Sequence, residues 1–563
     1  MDVKYLPAGD RAITVEFSRD IDPVANTCVH RLDLALQKSP VPGIEEVQTT
    51  VRSLLVYYDP EIVNFEELKE NLKQRMRRIN EIDLPPKKIV NIPCCYEDEH
   101  APDLEYVAAI NHLEPAEVVQ IHSATLYRVY CFGTAPGSPN MGITHSKIAT
   151  PRRPSPRASM PPGAVAIGGK QCVFYIVEIP GGHWMIGRTP VRLYHFFKPL
   201  HRIIEMGDTV QFYPIGKQEF KEIAEQQYES DPNTNLRSAP PSSGGTPAFE
   251  VIKPGLLTTI QDLGRYGYQK YGVAVTGAMD GMSLRAANRV VGNDEGEAAL
   301  EITLMGPRFQ VLNDILVAVM GADLDFQLNG QSVGLGKPVS VQKGDVLRFG
   351  NPRSGCRAYL AVAGGIDVPV VLGSRSTFLR ASIGGIEGRA LKTGDILYAG
   401  KMTSRPVSLD DIQRFETSVS SGTTDPIRVV PGPQDDYFTK EAIRLLFSSV
   451  FTVSNQTNRE GCRLEGPTIS HVGPTDIISD GTPPGSIQIL PSGNPLIFFR
   501  ERQIGGYPKI GVIITADLDR FAQSKPGNVV RFEAVTLDEA HAIYKNHKNI
   551  WIQYLRQRKM KSC

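Results

Sequence analysis

The stretch PPGAVAIGGKQ (161–171), followed by GGHWMIGRTP (181–190) and MGDTVQFYPI (206–215), decides the fold because it returns near the other end of the chain. There it reads PPGSIQILPSG (483–493), GGYPKIGVII (505–514) and PGNVVRFEAV (526–535). The PPG and GG marks stand 20 residues apart in the first copy and 22 in the second. Each apolar run is short, rich in β-branched residues and bounded by glycine or proline, a pattern of strands and turns rather than helices. Order, glycine placement and strand pattern agree, so two β-barrel-like domains of related fold are expected. KGDVLRFG (343–350) and TGDILYAG (393–400) share a turn-plus-strand outline and predict further β structure between the copies.

Outward from the repeat, 563 residues allow three or four domains. The clearest seam is QYESDPNTNLRSAPPSSGGTP (227–247), polar and without periodic apolar residues, which reads as a linker over 227–249. A second seam over 402–426 is rich in Ser and Thr but contains SLDDIQRF (408–415), enough for one helical turn. These seams delimit a β domain at 91–226, a β-rich domain at 250–401 and a second barrel-like domain at 427–563. Residues 1–90 read as a small α/β unit. AITVEF (12–17) and SLLVYYD (53–59) are strands, while PEIVNFEELKENLKQRMRRIN (60–80) spaces its apolar residues as a helix does. Pro115 opens a second helical stretch, and SLRAANRVVGN (283–293) is a short helix with Ser283 and Gly292 as candidate caps. Thr536 and Glu539 form a capping box at another.

Composition narrows the function. With 61 basic and 61 acidic side chains the formal charge is zero, which argues against a broad affinity for nucleic acid or an anionic membrane. No apolar run approaches a membrane span and the start lacks a signal-peptide core, so a soluble cytoplasmic protein is expected. Eight scattered cysteines without a CxxC pair predict free thiols and no metal site. GAVAIGGKQ misses the P-loop spacing and has Gln171 where a magnesium-holding hydroxyl would stand. There is no Rossmann fingerprint, HExxH or GxSxG, and SSGG (242–245) lies in the linker with no catalytic lysine nearby. Lys559-Met560-Lys561 ends the chain with no second strand, so covalent biotin on this chain is not expected. What remains is anion chemistry. Arg152, Arg153 and Arg157 lie in a proline-held backbone that limits the entropic cost of presenting guanidinium forks to carboxylate or phosphate. Gly187-Arg188-Thr189 follows a Gly-Gly turn that could aim a guanidinium and a hydroxyl at an anion.

HSATLYRVYCFGTAPGSPNMG (122–142), PRRPSPRASMPPGAVAIGG (151–169) and PGGHWMIGRTP (180–190) resemble subunit 1 of the allophanate-hydrolase-type family. IKPGLLTTIQDLGRYGYQKYGVAVTGAMD (252–280), AYLAVAGGIDVPVVLGSRST (358–377), RLEGPTISH (463–471), DIISDG (476–481) and GGYPKIG (505–511) resemble its subunit 2. This pair is also known as KipI–KipA, as the B-type and C-type subunits of 5-oxoprolinase, and as the carboxyltransferase region of urea carboxylase; here both halves share one chain. The resemblance implies a mainly β fold with α+β parts and cyclophilin-like β-barrel domains in both halves. It further implies a hydrolase that opens an ATP-activated lactam, 5-oxoproline to glutamate, together with a separate activating 5-oxoprolinase A-like subunit. The alternatives it leaves open are biotin-dependent carboxyl transfer with a biotin carboxylase or carrier chain, and a non-catalytic kinase-inhibitor-like binding protein. A homo-oligomer is also open.

Opening a lactam requires groups that hold a carboxylate and a phosphorylated intermediate, and a carboxylate or histidine as base for water. On the matching stretches the candidate bases are His122, Asp262, Asp280 and Asp480. The candidate substrate ligands are Arg152, Arg157, Arg188, Thr189, Arg265, Ser374, Arg375, Arg502, Gln503, Tyr507 and Lys509. Each has a plain structural alternative. Asp262 before Gly264 makes a turn, Asp280 caps a helix, His122 packs at a helix end, and Cys95 is inert without a base. The chain also departs from the family pattern. The loop Gly133–Ile143 lacks aromatic residues, His183 intervenes between Gly182 and Trp184, and Glu501-Arg502-Gln503-Ile504-Gly505-Gly506 is short of two hydroxyls. These departures predict an altered first-half site.

Overall fold

The computed structural model describes residues 2–133, 135–155, 157–192, 203–229, 244–401 and 425–559. At the N-terminus, the strands Lys4–Pro7, Ala12–Glu16, Ser53–Tyr58 and Ile44–Thr49 form an antiparallel sheet in that spatial order. The expected helix is Phe65–Arg77, closed at its start by a reciprocal Asn64/Glu67 capping box. A second helix, Pro23–Lys38, is not among the expected elements, although Asp22 caps it, Pro23 opens it, and Ala25, Val29, Leu32 and Leu36 line its buried face. Both helices pack on the sheet around Ile13, Val15, Leu54 and Val56.

The first copy of the repeat is a closed seven-stranded barrel. Its order around the circle is Gln171–Phe174, Pro139–Gly142, Tyr127–Phe132, Thr209–Ile215, Ile89–Cys95, Trp184–Arg188 and Ala164–Gly168. Strand Thr209–Ile215 runs parallel to Ile89–Cys95 through seven paired residues. The second copy repeats this plan. Ser486–Ile489 lies between Pro495–Phe498 and Lys509–Ile513, and Ile427–Pro431 pairs antiparallel with the latter and parallel with Phe532–Ala534. Gly461–Glu465 and Phe451–Thr457 follow, ending on Val529–Val530. The correspondence extends outside the barrels. A two-stranded flap covers each, Arg157–Met160 with Ile179–Gly181 in the first and Asp480–Gly481 with Ile504–Gly505 in the second. Arg157 and Asp480 occupy matching positions, opposite Gly181 and Gly505 respectively.

Between the barrels, sheets of six and five strands pack face to face around Phe249, Leu300, Phe309 and Leu360. The helix Gly281–Val290 lies against the outer face of the five-stranded sheet. Its N-cap is Asp280 rather than Ser283, since the Asp280 carboxylate accepts from Ser283 N (2.9 Å) and the hydroxyl (2.7 Å). Gly292 takes the left-handed conformation just beyond its end. The first linker is narrower than 227–249, because a helix runs to Glu229 and a strand starts at Thr246. Nearly all of the 402–426 seam, with SLDDIQRF, lies outside the described residues; of Lys559-Met560-Lys561, Lys559 ends the helix Leu537–Lys559 and the other two lie outside the described residues.

The halves are knitted together. Phe132 bridges to Tyr271, Glu46 accepts from Gly267 N and Gln269 N (both 2.9 Å), and Gln48 Nε2 donates to Gln503 O (2.8 Å). The C-terminal helix returns to the first domain, where His541 meets Tyr58 and Lys548 pairs with Asp59 (3.0 Å).

Candidate functional site

At the junction of the first barrel, the middle domain and the second barrel, the charges of three guanidinium groups act on one phenol. Tyr175, at the end of the barrel strand Gln171–Phe174, is 4% exposed, and burial pushes its phenol up to about 12 against the opposing pull of Arg152, Arg380 and Arg502. Gly181 permits this placement, because a methyl there would fall 2.6 Å from the Tyr175 oxygen. The hydroxyl meets His183 Nδ1 at 2.9 Å. Burial drives the imidazole down to about 3, so it is neutral at physiological pH, and its Nε2 has no partner among the described residues. Cations near a phenol favour its lone pairs, so the Tyr175 proton points at Nδ1 and the remaining histidine proton sits on Nε2.

The three arginines come from three domains. Arg152 is exposed, bonds the neutral Gln171 side chain (2.6 Å) and reaches the second barrel, where a methyl at Gly506 would lie 3.6 Å from its Nη1. Arg380 is nearly buried, and burial together with the Arg502 charge lowers it to about 10. Arg502 folds back onto Ile504 O (3.1 Å) and over the Phe498 ring. Glu460 is the carboxylate that pairs with two of them, at 2.7 Å from Arg380 and 3.4 Å from Arg502. Glu501 is already bound to the buried Arg459 (2.6 Å). Three cations against one direct counter-ion leave a surplus of positive charge among partly desolvated groups, which suits carboxylate or phosphoryl oxygens. Among the described residues no cluster of His, Cys, Asp and Glu has the makings of a metal site.

Of the sequence candidates, Arg152 and Arg502 meet here. The others go elsewhere. His122 is fully buried in the first barrel, held by the Tyr96 hydroxyl (2.8 Å) and stacked on Phe212, and burial lowers it to about 3; it is a core histidine and no base for substrate. Asp262 is consumed by Gly264 N, Ser374 Oγ, Arg375 N and Ser376 Oγ, so it ties a loop and carries Ser374 and Arg375 with it. Arg265 is 0% exposed and clasps Thr276 Oγ1 (2.7 Å) and the Ser376 carbonyl, far too enclosed to meet a substrate. Asp280 is the helix cap and also accepts from Gln523 Nε2 (2.6 Å). Asp480 and Lys509 form a fully buried ion pair (2.9 Å) shared with Gln434 and Ser53. Arg157 pairs with Asp103 (2.7 Å), as Arg153 does (3.1 Å), and thereby anchors the first flap. Arg188 donates to Pro162 O and covers Phe220 at the barrel's far end, near an open groove of about 700 Å³, while Thr189 is a buried turn hydroxyl. Gln503 is buried on the second flap and Tyr507 is half-buried at its end. The Cys95 thiol is buried and raised by that burial, which fits an inert residue.

Sequence reasoning missed Tyr175, Arg380 and Glu460. Nothing local marks them; only the assembly of three domains brings them together. His183 had one signal, its departure from the expected Gly-Gly-Trp. The Gly133–Ile143 stretch, without aromatic residues, meets the second half of the chain. Gly133 lies against Ile504, and Gly137 N donates to Tyr271 O (2.7 Å).

Comparison with known proteins agrees with this architecture. Residues 3–200 match the family model "Carboxyltransferase domain, subdomain C and D", and residues 271–534 match "Carboxyltransferase domain, subdomain A and B". The C-type subunit of 5-oxoprolinase from Escherichia coli K12 is 37% identical over 293 residues, spanning 52% of this chain and 93% of its own. The chain belongs to this carboxyltransferase-domain family. Its N-terminal half is similar to the B-type subunit of 5-oxoprolinase from Bacillus subtilis 168, 36% identical over 238 residues, 40% of this chain and 99% of the relative. The chain is also similar to the urea amidolyase of Saccharomyces cerevisiae, 34% identical over 326 residues, which span 55% of this chain but only 18% of that protein. The crystal structure of TTHA0988 superposes with a TM-score of 0.75 at 30% identity, covering 93% of this chain and 99% of that one. The chain is thus a fusion of regions that are separate subunits in the bacterial relatives, mostly strand and built on two related barrels.

Proposed function

We propose that this chain is the fused B and C part of a cytoplasmic 5-oxoprolinase and opens 5-oxoproline to glutamate together with a separate activating subunit that uses ATP. The carrying observation is that the charges of Arg152, Arg380 and Arg502 all act on Tyr175, whose hydroxyl bonds His183. The substrate is a small acid with a resonance-protected carbonyl. Guanidinium forks match its carboxylate, and the neutral His183 Nε2–H is a donor suited to oxygen on which charge develops. In the opening step water adds to the carbonyl carbon, the C–N bond breaks and the nitrogen takes up a proton. Glu460, partly exposed beside the cluster, is the carboxylate placed to take the proton from water. The names of relatives matched over nearly their full length, the B-type and C-type subunits of 5-oxoprolinase, support this reading and the need for a partner.

The test is glutamate formation from 5-oxoproline and ATP by purified protein, with and without a candidate activating subunit. Turnover that needs both proteins is the expected result. Carboxyl transfer from a biotinylated carrier supplied by another chain, or kinase binding without turnover, would replace this reading. The carboxyl-transfer reading has the weaker support, since urea amidolyase is matched over a small part of its length.

A further inference from the structure

Glu460 and Arg502, which pair in the arginine cluster, each follow a buried chain neighbour of opposite sign, Arg459 and Glu501. The two segments run side by side, since Gly461 pairs with Phe498 and Phe499 N donates to Glu460 O (3.0 Å). Successive side chains of an extended segment turn to opposite sides, so the charges sort into two pairs. Glu460 and Arg502 form the outer, partly exposed pair. Arg459 and Glu501 form the inner one, 2% and 4% exposed, with Arg459 Nε 2.6 Å from the carboxylate. Asn458 closes the turn that carries both Arg459 and Glu460, accepting from Glu460 N (2.8 Å) and Gly461 N (3.1 Å).

The Arg459 fork reaches past its own barrel. Nη1 donates to Glu301 and Nη2 to the Gly277 carbonyl (2.7 Å), both in the middle domain. Glu301 is itself fixed, accepting from Met279 N (2.9 Å) and the Tyr359 hydroxyl (2.7 Å). One guanidinium thus locks the turn of the second barrel against the middle domain, which contributes Arg380 to the cluster. Its second effect is electrostatic. Burial lowers Arg380 and the enclosed Arg265, and the Glu501 charge acts on both in the opposite sense, so Glu501 lies within reach of the cluster's field. Charges in a partly desolvated setting attract far more strongly than in water. A Glu501 carboxylate without Arg459 would turn its charge on Arg380 and Arg502 and cancel the surplus that suits an anion.

We propose that Arg459 is a positioning residue for the anion cluster: it occupies Glu501, so that Glu460 is the one carboxylate Arg380 and Arg502 must share, and it fixes the turn from which Glu460 acts. Arg459 touches no substrate. The inference rests on the reading of the cluster as the place where the acid is held. The experiment titrates the full chain with inorganic phosphate by calorimetry, which needs neither turnover nor a partner, and measures kcat and KM for 5-oxoproline alongside. Arg459→Gln should weaken phosphate binding by about tenfold or more and raise KM more than it lowers kcat. Adding Glu501→Gln should bring the affinity back to within about threefold of the parent, because the inner pair is again neutral. Arg459→Lys, which keeps the charge, should also stay near the parent. A merely structural arginine gives the opposite result, a double variant as weak as Arg459→Gln or weaker, and that outcome overturns the proposal. If Arg459→Gln does not fold, Glu501→Gln alone decides: the unmatched Arg459 charge should tighten phosphate binding, and a loss of affinity overturns the proposal. A parent chain that binds no phosphate removes the cluster as an anion site and Arg459 with it. Absence of glutamate formation while the phosphate cycle holds removes the hydrolase reading and leaves the role of Arg459 standing.

Discussion

At the scale of single residues, burial decides which titratable groups can act. His30, His122 and His183 are held neutral by burial, lowered from 6.5 to about 4, 3 and 3. Between those values and 6.5 the unfolded chain binds protons that the native chain refuses, so stability falls as the pH falls through that window. At pH 5 each histidine costs about 2 kcal/mol relative to neutral pH. Thermal unfolding should therefore show a steep loss of Tm from pH 7 to 5, and His122→Phe should flatten it without altering the pH profile of turnover. A changed turnover profile would restore His122 as a base. Arg380 and Arg502 make the opposite case, since their charge is what the cleft offers. Arg380→Gln removes a charge-assisted contact of about 1.5–3 kcal/mol, so kcat/KM for 5-oxoproline should drop by roughly ten- to a hundredfold. An unchanged kcat/KM would remove the arginine cluster from the reaction.

At the scale of elements, two carboxylates that looked catalytic turn out to hold elements in place. Asp280 caps a helix of the middle domain and bonds Gln523 of the second barrel, and burial beside Asp519 raises its carboxyl. A neutral cap serves nearly as well there, so Asp280→Asn should stay within about 1 kcal/mol of the parent in urea unfolding while Asp280→Ala loses about 1–2 kcal/mol. Asp480 is held well below the usual carboxylate range by Lys509 and Arg52 despite burial. Asp480→Ala strands the Lys509 ammonium in the interior, a cost of about 3–5 kcal/mol, and the double variant Asp480→Ala/Lys509→Met should recover much of it. If the single variant unfolds like the parent, the flap is not anchored by this pair. In the first barrel Arg157, opposite Gly181 on its flap, is also tied down by an ion pair, to Asp103.

At the scale of the whole molecule, the fused halves behave as one body. Ser53 and Arg52 of the first domain, the latter also paired with Glu16, reach Asp480 of the last, Asp10 accepts from Thr515 N (3.0 Å), and Glu46 holds the 267–269 backbone. Fragments 1–229 and 244–563 expressed separately should therefore co-elute one-to-one on gel filtration and recover turnover when mixed. Fragments that migrate apart would show that the covalent link, and not this interface, holds the cleft closed.

The repeat was legible in the chain because strand turns leave glycine and proline marks whose order survives divergence. PPG, GG and the final G-D or P-G turn predicted two related barrels, and their strand orders coincide. Caps such as Thr536 with Glu539 were readable for the same local reason. The helix Pro23–Lys38 carries a local signal of the same kind at Asp22-Pro23, a side-chain cap followed by a proline that lacks only an N–H the first turn does not use. The site was not legible in this way. Arg, Asp and Ser were sound choices of chemistry, but a local pattern does not tell a guanidinium facing ligand from one spent on a carbonyl, as Arg265 is on Ser376. That difference depends on which groups from distant segments fill the surrounding space. Tyr175, Arg380 and Arg502 are far apart along the chain and acquire a common electrostatic environment only when three domains close around them.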